Sequence, residues 1–99
     1  ARRLGMKERR CQRVARWLQL LAHPARLRIV TELREGEACV SELQTVLDRP
    51  QPYVSQQLCV LREAGIVACR REGQFIYYRL VDPFVEQLLE EVVDQGERE

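Results

Sequence analysis

Histidine is almost absent from this sequence: among 99 residues it occurs once, as His23, directly before a proline where a helix is expected to begin. Proteins bind zinc mostly through imidazole and thiolate ligands, commonly in closely spaced pairs. The four cysteines are Cys11, Cys39, Cys59 and Cys69, so no Cys-x-x-Cys pair is present. The sequence therefore argues against a zinc finger and against a zinc site built on imidazole.

Long apolar segments are also lacking. No run approaches the roughly 20 residues that a membrane-spanning helix needs, so we expect no contact with a membrane. The first ten residues are largely charged and contain no apolar stretch of the kind found in secretory signals. We therefore expect a cytoplasmic protein, whose cysteines are free thiols unless they serve as ligands or redox sensors.

Signatures of catalysis are missing as well. The sequence shows no nucleophile–base pair, no glycine-rich phosphate loop and no pair of carboxylates at a spacing typical of hydrolases. We predict that the chain is not an enzyme and that it needs no cofactor.

Charge is present but unevenly distributed. The net charge is only +1, yet residues 1–35 carry ten Lys and Arg against three acids, and residues 82–99 carry seven acids against one Arg. A basic half suits a polyanionic partner, and an acidic end would be repelled by one. Two solvated helix faces would give the same pattern, so charge alone leaves both interpretations open.

Helical periodicity dominates the chain until residue 65, where it changes to the two-residue period of strands. The second predicted helix buries Leu27, Val30 and Leu33, and the third is capped by Ser41 or preceded by Cys39. The predicted elements are helices at about Met6–Ala22, Pro24–Gly36, Val40–Leu47 and Pro52–Ala64, strands at Ile66–Arg71 and Phe75–Val81, and a last helix from Asp82.

This order predicts one domain over residues 1–99, mainly α with a β-hairpin. A turn containing two prolines, Asp48–Pro52, separates the third and fourth helices and makes them a helix-turn-helix. The hairpin that follows corresponds to a wing, and a winged helix-turn-helix is an architecture that reads DNA.

The fourth helix bears short polar side chains near its start, as a helix that enters the major groove requires. Its outward face is almost uncharged for two turns, whereas a merely solvated face usually carries Glu and Lys. Two arginines beside the hairpin turn could reach phosphates. The predicted contacts with double-stranded DNA are Gln51, Tyr53, Ser55, Gln56, Arg62, Arg70 and Arg71.

Three segments, Leu21–Val30, Val54–Val67 and Arg71–Leu80, resemble the ArsR/SmtB family of winged helix-turn-helix repressors in sequence, order and spacing. The resemblance covers residues 17–82. It implies a homodimer joined through the first and last helices, with repression of an operon that is relieved by an inducer. The apolar stripe within Phe84–Val93, wider than a small monomer can cover, agrees with a dimer.

Family members sense metals at two places, and neither is complete here. The segment Glu37–Leu43 matches one pattern at Cys39, but Ser41 replaces its second thiol. The second place is in the last helix and consists of an acidic residue and histidines. Of these ligands, only Asp82 is present in this sequence. We therefore predict no conventional metal site.

The resemblance assigns sensing to Cys39, with Cys11 reaching it across the dimer. The signal is then an oxidant or a reactive sulfur species. The alternative is arsenite or another thiophilic ion held by the same two thiols, and a second is a protein-interaction module that has lost DNA binding. Whether Cys59 and Cys69 are core residues or reactive thiols stays open.

Overall fold

The computed structural model describes residues 2–98, of which residues 2–4, 6, 94 and 96–98 are described by their backbone alone. Over this range the chain forms five helices and three strands. In chain order they are α1 (Arg2–Leu21), α2 (Pro24–Glu35), β1 (Ala38–Cys39), α3 (Val40–Leu47), α4 (Gln51–Glu63), β2 (Val67–Glu72), β3 (Phe75–Leu80) and α5 (Pro83–Arg98).

The predicted helices are all present, with small shifts at their ends. Helix α1 begins four residues before the predicted Met6, because the preceding segment consists largely of good helix formers. Helix α4 begins at Gln51 rather than Pro52, since a proline is tolerated anywhere in the first turn, where its missing N–H is not needed. Cys39, not Ser41, is the N-cap of α3.

The core lies where α2, α3 and α4 meet the sheet and α5. The inner face of α4 is fully buried, as predicted, through Val54, Leu58 and Leu61. The prediction for α2 was wrong at one position: Ile29 is fully buried, whereas Leu27 is 37% exposed. A position two residues away lies on a different side of a helix, so Leu27 points toward the groove formed with α1 and α5.

The sheet has one strand more than the predicted hairpin. Strands β2 and β3 pair from Val67↔Leu80 to Glu72↔Phe75, leaving a two-residue turn in which Gly73 has φ +61°, a conformation that glycine adopts without strain. The short β1 pairs with the other edge of β3, placing Cys39 opposite Tyr77. A two-residue strand has too little periodicity to be recognised in a sequence.

Helices α1 and α5 pack together at the ends of the chain. The rings of Trp17 and Phe84 stack with centroids 4.2 Å apart. Asp82 caps α5 as predicted, since its Oδ1 accepts hydrogen bonds from the N–H groups of Phe84 and Val85 at 2.9 and 3.2 Å. In the part of the chain described, no helix is long and apolar enough to cross a membrane.

An apolar groove remains open between α1, α2 and α5. Large hydrophobic side chains on its walls are far from covered: Leu18 is 47% exposed and Val92 is 58% exposed. We use the term apolar groove for the surface formed by Leu18, Leu21, Ala22, Leu27, Leu88, Leu89 and Val92.

Candidate nucleic-acid interface

The exposed start of α4 presents the polar side chains that the sequence singled out. Gln51 and Gln56 are exposed and Ser55 is half-buried. The Nε2 of Gln51 donates a hydrogen bond to Ser55 Oγ at 2.7 Å, one helical turn away. The pair therefore forms a preordered polar edge, with donors and acceptors that could bind bases or phosphates.

The two adjacent glutamines of α4 have opposite surroundings. Gln57 is 6% exposed, and its Oε1 accepts a hydrogen bond from Arg26 Nε at 2.9 Å. Arg26 also donates to the carbonyl of Leu20 at 3.4 Å, so this guanidinium connects α4 to α2 and to the end of α1. Gln57 thus holds the helix in place, whereas Gln56 is exposed.

The two arginines of the β2–β3 hairpin, the wing, also differ. Arg70 donates to Glu37 at 2.9–3.1 Å and to Glu72 at 2.6 Å, and it lies over the ring of Tyr77. These ion pairs lower the pKa of Glu37 and raise the pKa of Arg70. Arg70 would have to leave two carboxylates to reach DNA.

Arg71 alternates to the opposite face of β2 and is exposed. It makes no hydrogen bond or ion pair with the residues that the structure describes. Of the two predicted wing contacts, Arg71 is therefore the one available to a phosphate, and Arg70 joins the wing to the segment before β1.

Arg62 lies where α4 meets the wing. Its Nη1 donates to the sulfur of Cys69 at 3.6 Å, and this hydrogen bond raises the pKa of Arg62. Cys59, one turn earlier, is exposed, with its Sγ 3.6 Å from a Glu63 oxygen. Cys69 is half-buried beside Tyr78, whose pKa is raised chiefly by burial.

Sequence reasoning missed Arg49, in the turn before α4. Its guanidinium carbon lies 4.9 Å from the ring centroid of Tyr53, a predicted DNA contact. The position of Arg49 could have indicated this role from the sequence, because it lies in the turn of the helix-turn-helix. That turn lies close to the DNA backbone in proteins of this architecture.

The two candidate sensing cysteines occupy different environments. Cys39 is 7% exposed, and its sulfur lies 3.1 Å from Ser41 Oγ. Its backbone N–H donates to the carboxylate of Glu42 at 3.0 Å, which lowers the pKa of Glu42. Cys11 is exposed on α1. Within the described residues, no three His, Cys, Asp or Glu side chains group as metal ligands.

Comparison with known proteins places this geometry in a family. Residues 23–68 match the family described as "Bacterial regulatory protein, arsR family". The "Biofilm growth-associated repressor" of Agrobacterium fabrum is 52% identical over 87 residues, which are 88% of this chain and 74% of that protein. The chain belongs to the ArsR family. The resemblance seen in its three sequence segments is thereby confirmed.

Solved structures agree with this membership. The transcriptional repressor BigR from Xylella fastidiosa superposes with a TM-score of 0.83 at 44% identity, over 89% of this chain and 90% of that one. A homodimeric winged helix-turn-helix DNA-binding domain from Mycobacterium bovis gives a TM-score of 0.78 at 32% identity, over 92% of this chain and 84% of that one. The predicted winged helix-turn-helix fold is therefore confirmed.

Membership in the ArsR family also decides the broad class of activity. The matched relatives are transcriptional regulators, so this ArsR-family protein is a transcriptional repressor and not an enzyme, as predicted. The signal that controls it is a separate question, which depends on its cysteines.

Proposed function

We propose that this repressor binds operator DNA as a homodimer and leaves it when thiols react with an oxidant or a reactive sulfur species. The observation that carries DNA reading is the uncharged edge of α4 formed by Gln51, Ser55 and Gln56. The exposed Arg71 of the wing, which pairs with none of the described residues, adds a free guanidinium. An edge of amide and hydroxyl groups suits base edges, and an unpaired guanidinium suits phosphate.

The DNA-reading proposal predicts a large effect at Gln56. Replacing Gln56 by Ala removes an amide that can bind a base, so specific binding should weaken by about 1–3 kcal/mol, or roughly 5- to 150-fold. The measurement is fluorescence anisotropy with a duplex that the wild type selects from a random-sequence pool.

The matched control is Gln87→Ala, which removes an exposed glutamine from α5 and should bind like the wild type. Ser55→Ala provides a second variant on the polar edge of α4. If both Gln56→Ala and Ser55→Ala fold and bind the selected duplex with unchanged affinity, then α4 does not read bases through this edge.

Two features support dimerisation. The apolar groove lies on the first and last helices, the two helices that the sequence resemblance implies in the dimer. The similar domain from Mycobacterium bovis is homodimeric by its description. A small domain that exposes a continuous apolar surface gains stability by covering it, and a second copy does so symmetrically.

The position of Cys39 supports thiol sensing. Cys39 ends β1, which pairs with β3 at Tyr77, and Arg70 joins Glu37 to the wing just before this strand. A chemical change at Cys39 would therefore be transmitted through this strand pairing to the wing of the same chain. The exposed Cys11 lies on α1, a proposed dimer helix, and in the proposal it reaches Cys39 of the second copy. Their oxidation to a disulfide would transfer two electrons and two protons to the oxidant.

The thiol proposal predicts that Cys39→Ser and Cys11→Ser each retain DNA binding but lose release by hydrogen peroxide or a persulfide donor. Wild-type protein should lose most of its DNA under the same treatment. The measurement is anisotropy of the selected duplex before and after each reagent, with Cys59→Ser as the matched control.

Arsenite and zinc serve as further arms of the same experiment. Release by arsenite alone, lost in both variants, would favour the thiophilic-ion alternative at the same thiols. Wild-type responses in both Cys11→Ser and Cys39→Ser would eliminate the pair, and release by zinc alone would eliminate thiol control.

A further inference from the structure

A second polar feature borders the start of α4. It is a hollow of about 410 Å³ between the start of α2, the end of α3 and the start of α4. Four side chains capable of binding an anion line it, and we call it the basic hollow: His23, Arg28, Arg49 and Tyr53. No acidic residue is among the lining residues described.

The start of α2 adds to the positive character of the basic hollow. Pro24 and Ala25, the first residues of this 12-residue helix, are in its wall. The N-cap residue, His23, makes no side-chain capping hydrogen bond, and the first turn of the helix contains no acidic residue. The unpaired N–H groups of a helix start carry partial positive charge, which favours an anion at this place.

The nitrogen-bearing side chains of the hollow differ in their partners. The Nδ1 of His23 is shielded from solvent and has no hydrogen-bond partner in the part of the chain that the structure describes. Arg49 is exposed and is held against the ring of Tyr53. Arg28 pairs with Glu32 at 3.0 Å, but both side chains are solvated and such an i,i+4 pair is weak.

The hollow shares Tyr53 with the predicted DNA face, since this residue lies in the first turn of α4. When the start of a recognition helix enters the major groove, the surface beside it approaches the phosphates along the groove edge. The basic hollow therefore borders the start of α4, whereas Arg71 lies on β2, the strand that follows the end of α4.

We propose that the basic hollow holds one phosphate group of the DNA backbone, bound through Arg49 and Arg28 with the start of α2 behind it. The proposal rests on the proposed DNA-binding function and adds a second anchor, so that α4 is clamped between this phosphate and the one at Arg71. Two anchors at separate points of the protein would set the angle at which the helix enters the groove.

The test pairs a protein change with a change in the DNA. Arg49→Gln should weaken binding to all sequences and flatten the log–log salt dependence by about 0.9 unit, as the loss of one phosphate contact requires. The same selected duplex is then prepared with a neutral methylphosphonate at each backbone position in turn. On one of these duplexes, wild type and Arg49→Gln should bind with equal affinity.

Arg71→Gln is the matched control, because its effect should persist on the duplex that cancels the effect of Arg49→Gln. Thermal unfolding of each variant shows whether folding is intact. The proposal is overturned if Arg49→Gln and Arg28→Gln both bind like wild type, or if their losses are the same on every modified duplex.

Free phosphate is the other source of the same chemistry, and titration of DNA-free protein with inorganic phosphate distinguishes it. Binding that Arg49→Gln abolishes, together with an unchanged affinity for DNA, would assign the hollow to free phosphate and overturn the DNA assignment. Failure of the wild type to select any duplex would instead overturn the proposed DNA-binding function, together with the DNA anchor that rests on it.

Discussion

The double substitution Leu18→Glu and Val92→Glu is expected to convert the protein to a monomer and to reduce specific operator binding at least about thousandfold, toward the level of non-specific binding. Both side chains lie in the apolar groove and are 47% and 58% exposed in the single chain. Four glutamates per dimer would be desolvated in a closed interface, which strongly opposes association. A monomer also contacts only one half-site.

Sedimentation velocity measures the assembly state and anisotropy with the selected duplex measures binding. Val81→Glu is the matched control, since Val81 is 43% exposed but lies outside the apolar groove. Leu89 is a poor choice for this test, because it is 1% exposed and its substitution would disrupt the chain's own core. A double variant that still sediments as a dimer would place the interface elsewhere.

Leu58→Ala is expected to lower the free energy of unfolding by about 2–5 kcal/mol. Leu58 is fully buried on the inner face of α4, where it packs in the hydrophobic core. Truncation of its side chain therefore leaves a cavity there. That loss is a large part of the roughly 5–15 kcal/mol typical of a folded domain. Urea unfolding at fixed protein concentration is the measurement, because dimerisation makes stability depend on concentration.

The adjacent Cys59 supplies the control for Leu58. It is exposed on the other side of α4, so Cys59→Ala should change stability by no more than about 0.5 kcal/mol. Equal effects of the two substitutions would mean that α4 does not pack against the core through the face that contains Leu58.

The comparison of Leu27 with Leu58 shows what a pattern of apolar residues can and cannot predict. The spacing of apolar residues correctly assigns Leu58 to a buried face, because α4 is packed against the core along its whole inner side. It also assigns Leu27 to a buried face, and a single chain leaves that side chain 37% exposed. A hydrophobic pattern shows that a side chain avoids water but does not distinguish the core from an interface.

Polar residues were harder to assign, because their partners are distant in the sequence. The helical period puts Gln56 on the outward face of α4 and Gln57 on the inward one, but it does not reveal that Gln57 pairs with Arg26, 31 residues away. Arg70 and Arg71 are equivalent in the sequence, and Glu37, 33 residues from Arg70, makes them different. These pairings exist only after α2, α4 and the sheet have come together.

The sequence by itself determined the order of the five helices and of the hairpin, the winged helix-turn-helix and the family, since these depend on local periodicity, turn residues and motif spacing. Only the tertiary structure decided which wing arginine is paired and which residue pairs with Gln57, that Cys39 lies in a sheet beside the wing, and that His23, Arg28 and Arg49 line one hollow. Burial, ion pairing and enclosure depend on elements far apart in the chain, and these acquire neighbours only by folding.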